Sequence, residues 1–128
     1  MIGVSGVSAQ AATPYPVTDC DQLTTQMELN QCAGANYKSA DTALNKLYQK
    51  VMRQETDAAS RQRLMEAERA WIAYRDKECA SRVGPQQEGG SIWPMEMSNC
   101  LESLTAARIR ELSKLHGCTA GVSACNPH

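Results

Sequence analysis

No stretch of this chain approaches the roughly 20 consecutive apolar residues that a membrane-spanning helix requires. Histidine is nearly absent: His116 and His128, both near the C-terminal end, are the whole complement. None of the carboxylates Asp41, Glu66, Glu68 and Asp76 has a histidine beside it in sequence. No serine stands in a Gly-x-Ser-x-Gly setting, and there is no Cys-x-x-Cys pair. The usual arrangements for general acid–base work, an activated serine or a thiolate metal site are therefore missing. The sequence reads as non-enzymatic, with no catalytic residue, no metal site and no cofactor. Net charge is −1 with acids and bases interleaved along the chain, so there is no basic stripe for nucleic acid and no acidic tail.

Charge is also missing from the ends. All 13 basic and 14 acidic side chains fall between Asp19 and Lys114. Residues 1–18 read as a leader remnant or a disordered arm. Ala9-x-Ala11 resembles a leader cleavage motif, but Met1 to Val7 offers neither a basic start nor a sufficient apolar run. Residues 119–128 are small and polar and read as a C-terminal tail. What remains, 19–118, is one domain of about a hundred residues. A chain that short buries only about two-thirds of its unfolded surface, so covalent staples help it.

Cysteine supplies them. The six cysteines are Cys20, Cys32, Cys79, Cys100, Cys118 and Cys125. An even number without metal-ligand spacing indicates disulfides, hence an oxidising compartment, periplasmic or secreted. Fifteen pairings are formally open. Helix geometry favours Cys79–Cys100, which would close a glycine-rich segment. Cys20 can reach back to Cys32, which leaves Cys118 with Cys125.

Apolar spacing is helical and nowhere alternating. Ala33, Tyr37, Ala40, Leu44, Leu47 and Val51 step by three or four residues and predict a helix over about 25–55, opened by Thr25 and Glu28 as a capping box. Asp57 can cap a second helix over about 58–83, whose stripe reads Leu64, Ala67, Trp71, Tyr74 and Glu78. A glycine-rich loop over 84–95 follows. A third helix over about 96–116 carries Met97, Leu101, Leu104, Arg108, Leu112 and Leu115, with Gly117 placed to end it. Short connections make neighbouring helices antiparallel. The expected fold class is all-α, three antiparallel helices stapled by disulfides.

Arg108 is out of place in such a stripe, because a permanent charge there needs a partner or a route to water. If the helix ends are level, Asp41, Trp71 and Arg108 meet at one height. The expectation is a buried polar cluster with an Asp41–Arg108 ion pair beside the Trp71 indole; Arg75, one turn further along its helix, is the competing partner, and Arg108 snorkelling to water is the alternative. Gly89-Gly90-Ser91 reads either as a small anion-binding concavity of backbone N–H groups or as a flexible turn. Trp93 and Met95 behind it either pack on the core or offer an exposed contact.

These residues fall in a familiar order. Cys20 with Glu28-x-x-x-Cys32-Ala33 is followed by Tyr37-x-x-x-Asp41-x-x-Leu44-Asn45-x-x-Tyr48. Then come Ala70-Trp71-x-x-Tyr74-Arg75-Asp76-x-x-Cys79, Gly89-Gly90-Ser91, Cys100 and Arg108-x-x-x-Leu112. In order and spacing the chain resembles the lysozyme inhibitor LprI-like N-terminal domain family. The resemblance implies an exported, helical, disulfide-containing bacterial domain that binds a lysozyme or another envelope protein. It implies inhibition by occlusion of the lysozyme cleft, where two carboxylates work, with Arg75, Gly89, Gly90, Ser91 and Trp93 as the candidate contact residues. Cys118 and Cys125 lie outside the family pattern. A structural domain of the cell envelope and a small-ligand or anion carrier are the alternative functions.

Overall fold

A computed structural model of the protein describes residues 13–119, with side chains through Leu115. The Ala9-x-Ala11 motif, the tail beyond Thr119 and the Cys118–Cys125 pairing lie outside the described residues. Within them the structure is all-helical, with no strand. Helix α1 spans Gln26–Gln54, α2 spans Ala58–Val83, a single turn α3 spans Gln86–Gly89, a 3₁₀ turn spans Gly90–Ile92, and α4 spans Trp93–Thr119.

Local chemistry sets the boundaries. The Thr25 hydroxyl accepts from the Glu28 N–H and the Glu28 carboxylate accepts from the Thr25 N–H, so two of the orphan donors opening α1 are satisfied reciprocally. Asp57 opens α2 by accepting from the Ser60 N–H at 2.9 Å and the Ser60 hydroxyl at 3.0 Å. These bonds, the backbone one first, hold its carboxyl below the usual carboxylate range. Gly84, at φ 86°, closes α2 in a region that side chains disfavour. The segment expected as a loop over 84–95 is mostly helical instead, and α4 begins at Trp93 rather than near 96. Gly117 does not stop α4, because one glycine weakens a helix without forbidding it.

Two helices build the core. Gly34 on α1 lies over Ser98 on α4, and Arg75 reaches both Asp41 and Thr105, so α1 and α4 run parallel with residues 34 and 41 level with 98 and 105. The small residues Ala33, Ala40, Thr105 and Ala106 let their backbones approach closely, and Leu44, Ile109 and Leu112 fill the space below. Helix α2 runs antiparallel to α4, as the order of the Cys79–Cys100 and Glu68–Arg108 contacts requires. It brings few apolar side chains: Leu64 and Trp71 pack against the core only partly buried. What else attaches α2 is covalent or charged.

The N-terminal arm packs against this core. Tyr15 is buried among α1 and α4 residues, and its hydroxyl donates to Glu102 Oε2 at 2.8 Å. Asn36 clips the arm twice, accepting from the Thr18 N–H at 2.8 Å and donating to the Thr18 carbonyl at 2.9 Å. Ser39 donates to the Pro16 carbonyl at 2.7 Å, and the Cys20–Cys32 disulfide ties down the arm's end. Burial, then the bond to Glu102 and its negative charge, raise the Tyr15 pKa against the opposing charge of Arg110. An unfolded tyrosine ionises near pH 10. The stability that Tyr15 contributes is therefore intact below about pH 10 and is lost as pH rises through its higher folded value. Thermal melts at pH 8 and pH 11 check this: the melting temperature of the native chain falls more between them than that of Tyr15→Phe.

Candidate functional site

Between α2 and the core lies a line of charges and rings. Arg75 is buried, with Nη1 3.5 Å from Asp41 Oδ1 and 3.5 Å from Thr105 Oγ1, and Nε 3.0 Å from Asp76 Oδ1. Its guanidinium carbon lies 5.5 Å from the centre of the Tyr37 ring and 5.3 Å from that of Trp71, within cation–π range. Burial pushes the Tyr37 hydroxyl pKa up, against the positive charge of Arg75. Arg108, one turn further along α4 than Thr105, donates from Nε to Glu68 Oε1 at 2.9 Å and from Nη1 to Glu111 Oε1 at 2.8 Å. It too lies over Trp71, at 5.9 Å.

The expected Asp41–Arg108 pair is therefore corrected. Asp41 bonds Arg75, and Arg108 bonds Glu68. The cause is register: Cys32 is not level with Cys100, because Gly34 faces Ser98. Asp41 is thereby level with Thr105, about 4.5 Å short of Arg108 at 1.5 Å per residue. Trp71 does share the site, with both guanidinium groups within 6 Å of its ring. Arg75, expected as a contact residue, lies inside this cluster. Its side chain is 9% exposed, and its Nε and Nη1 groups are engaged by Asp76, Asp41 and Thr105 within the chain.

Glu68 is the residue the sequence reading missed. The buried face of α2 is Leu64, Glu68, Trp71, Arg75 and Cys79, whereas Ala67 and Tyr74 of the expected stripe are exposed. Stepping back from Cys79 by four, four, three and four residues finds this face. Two of its five members are charged, which hides it from hydrophobic periodicity.

At the other end of the bundle the glycine segment forms a compact knob. The Trp93 indole N–H donates to the Gly84 carbonyl at 2.9 Å, closing the segment on itself, and the Cys79–Cys100 disulfide spans its base. Trp93 is therefore a half-buried anchor and not an exposed contact. A side chain at Gly89 would place its Cβ 2.5 Å from Trp93 Cδ1, so glycine is required there for packing. Gly89 is right-handed helical, but Gly90 at φ 67° and ψ −158° is outside the left-handed helical region. The alternating pair that would aim N–H groups into an anion concavity is thus not formed here. Asn30 on α1 donates to the Ser91 carbonyl at 2.9 Å, and Gln26 reaches Met95 Sδ at 3.7 Å. The exposed surface at this end includes Pro85, Gln86, Gln87, Glu88, Gly90 and Ser91, with two apolar side chains, Ile92 (40% exposed) and Met27 (67% exposed). Among the described residues no His, Cys, Asp and Glu cluster forms a metal site, and no helix is long and apolar enough to cross a membrane.

Comparison with known proteins gives this arrangement a context. The chain is 40% identical over 120 residues, covering 84% of its own length and 86% of the relative's, to the uncharacterized protein R02472 of Rhizobium meliloti (strain 1021). No solved structure matches. The model of the family described as lysozyme inhibitor LprI matches residues 19–112. That span takes in both disulfides, the Arg75 and Arg108 pairs and the whole glycine knob, and so the chain belongs to the lysozyme inhibitor LprI family.

Proposed function

We propose that this domain is an exported, non-enzymatic binding protein that inhibits a lysozyme by seating its glycine knob in the enzyme's cleft. The observation that carries the reading is the family match across residues 19–112, which includes every element that builds the knob. Two disulfides support export, since such bonds persist in oxidising compartments.

The knob suits the task physically. A cleft with two carboxylates is blocked by a narrow, stiff projection that excludes sugar, and stiffness spares the ordering cost of binding. The Cys79–Cys100 bond, the Trp93–Gly84 hydrogen bond and the Asn30–Ser91 hydrogen bond each restrain the tip. Ile92 and Met27 supply exposed apolar contact, and the Ser91 hydroxyl supplies a donor for a carboxylate.

The test is a titration of lysozymes of several classes with the oxidised protein and with a Met27→Glu/Ile92→Glu double variant. The native chain lowers hydrolysis of at least one class in a dose-dependent way. The variant, equally folded by circular dichroism, loses at least a hundredfold in inhibitory potency. Full activity of every class at a large molar excess of native protein contradicts the reading.

A further inference from the structure

Away from the knob, folding sorts charge that looks mixed in the sequence. The α1 segment Thr42–Gln54 contains no acidic residue, while Lys38, Lys46, Lys50 and Arg53 all stand exposed on one flank of that helix. Among the described residues none of the four has a carboxylate within salt-bridge distance. Asp41 points instead to Arg75. The nearby Glu102, on α4, is engaged by the Tyr15 hydroxyl.

This flank borders an open groove of about 540 Å³ between the N-terminal arm and α1. Pro14, Tyr15 and Pro16 form one wall, Ala35 and Ala43 line the helix side, and Lys38 and Lys46 stand on the rim. The wall is stiff, because two prolines restrict it and Ser39, Asn36 and the Cys20–Cys32 disulfide fix it in place.

We propose that this groove binds an extended acidic peptide segment of a partner protein. Charge complementarity selects the sign, since two unpaired cations, Lys38 and Lys46, line a largely apolar trough whose lining includes no acidic residue. Spacing selects the shape. Lys38 and Lys46 are separated by about 12 Å along the helix at 1.5 Å per residue. An extended chain covers that distance in about four residues at 3.3 Å each, so carboxylates at i and i+4 meet both ammonium groups while the residues between lie in the trough. A second pair of cations, Lys50 and Arg53, continues the track. A cationic lysozyme surface is repelled here, so the groove and the knob serve different partners.

A fluorescein-labelled dodecapeptide with glutamates four residues apart and alanine, valine and proline between them is the probe. Anisotropy should show saturable, salt-sensitive binding to the native protein. It should weaken at least tenfold in Lys38→Glu/Lys46→Glu and in Thr42→Trp, which fills the groove without changing charge, and stay within twofold of native in Arg61→Glu/Arg63→Glu on α2. Circular dichroism melts confirm that each variant is folded. Failure of the peptide to saturate, equal loss in the α2 control, or an unchanged affinity in Thr42→Trp overturns the proposal. So does co-sedimentation with vesicles of one part phosphatidylglycerol to three parts phosphatidylcholine that the peptide does not compete away, because the surface then serves an anionic membrane. None of these outcomes depends on whether lysozyme is inhibited.

Discussion

Arg108→Met destabilises the domain by about 3–5 kcal/mol, the range seen when one partner of a buried ion pair is removed. The size comes from what is left behind. Glu68 has a side chain only 7% exposed, so without Arg108 its charge is stranded in a poorly solvated site. The same substitution at Arg75 costs less, because Asp41 and Asp76 are 40% and 57% exposed and water can solvate them once the guanidinium is gone. Arg75→Met then loses mainly packing on Tyr37 and Trp71 and the Thr105 contact. The double variant Glu68→Gln/Arg108→Met recovers most of the loss, since a neutral amide is far cheaper to bury than an unpaired carboxylate. Urea denaturation of the four proteins at pH 7 measures each term. A cost at Arg108 no greater than that at Arg75 contradicts the assignment of Glu68 as its buried partner.

The contrast between these two arginines also shows how far a single sequence reaches. Helix α1 was legible because its buried face, Ala33, Ala40, Leu44 and Val51, follows apolar spacing, and its start follows from Thr25 and Glu28. Helix α2 was legible in extent but not in orientation. Its inward face carries Glu68 and Arg75, and a periodicity argument treats such residues as solvated. For α4 the true centre is Thr105, Ile109 and Leu112, which places Arg108 at the margin of the buried stripe and explains how it meets α2. Tyr15 could not be found by any local rule. Its burial depends on where an extended arm crosses two helices, and the surrounding prolines and uncharged residues read equally well as unstructured. The glycine knob was visible as a break in the pattern. The Trp93–Gly84 bond and the need for glycine at position 89 are tertiary facts, and spacing does not encode them.

Cys79→Ala/Cys100→Ala lowers stability by about 3 kcal/mol in the chain-entropy model, for a crosslink spanning 21 residues. The consequence here is larger than in a domain with a conventional core. Helix α2 is fixed to the rest by this bond, by two arginine sites and by part-buried Leu64 and Trp71. Losing the crosslink frees the base of the knob and the C-terminal half of α2 together. Amide exchange in residues 76–92 should then accelerate well beyond that of the α1–α4 core around Leu44 and Leu112. Uniform acceleration across all helices would show that α2 is held mainly by packing. Removal of Cys20 and Cys32 acts locally in comparison, since Asn36 and Ser39 still clip the arm to α1.

Hydrogen exchange on the oxidised protein, with and without saturating lysozyme, goes straight to the interface. Protection should appear in residues 84–95 and in the first turn of α1 around Met27, and should be absent from 38–53. A footprint on the lysine-bearing flank of α1, or no footprint beside full enzyme activity, contradicts docking through the glycine knob.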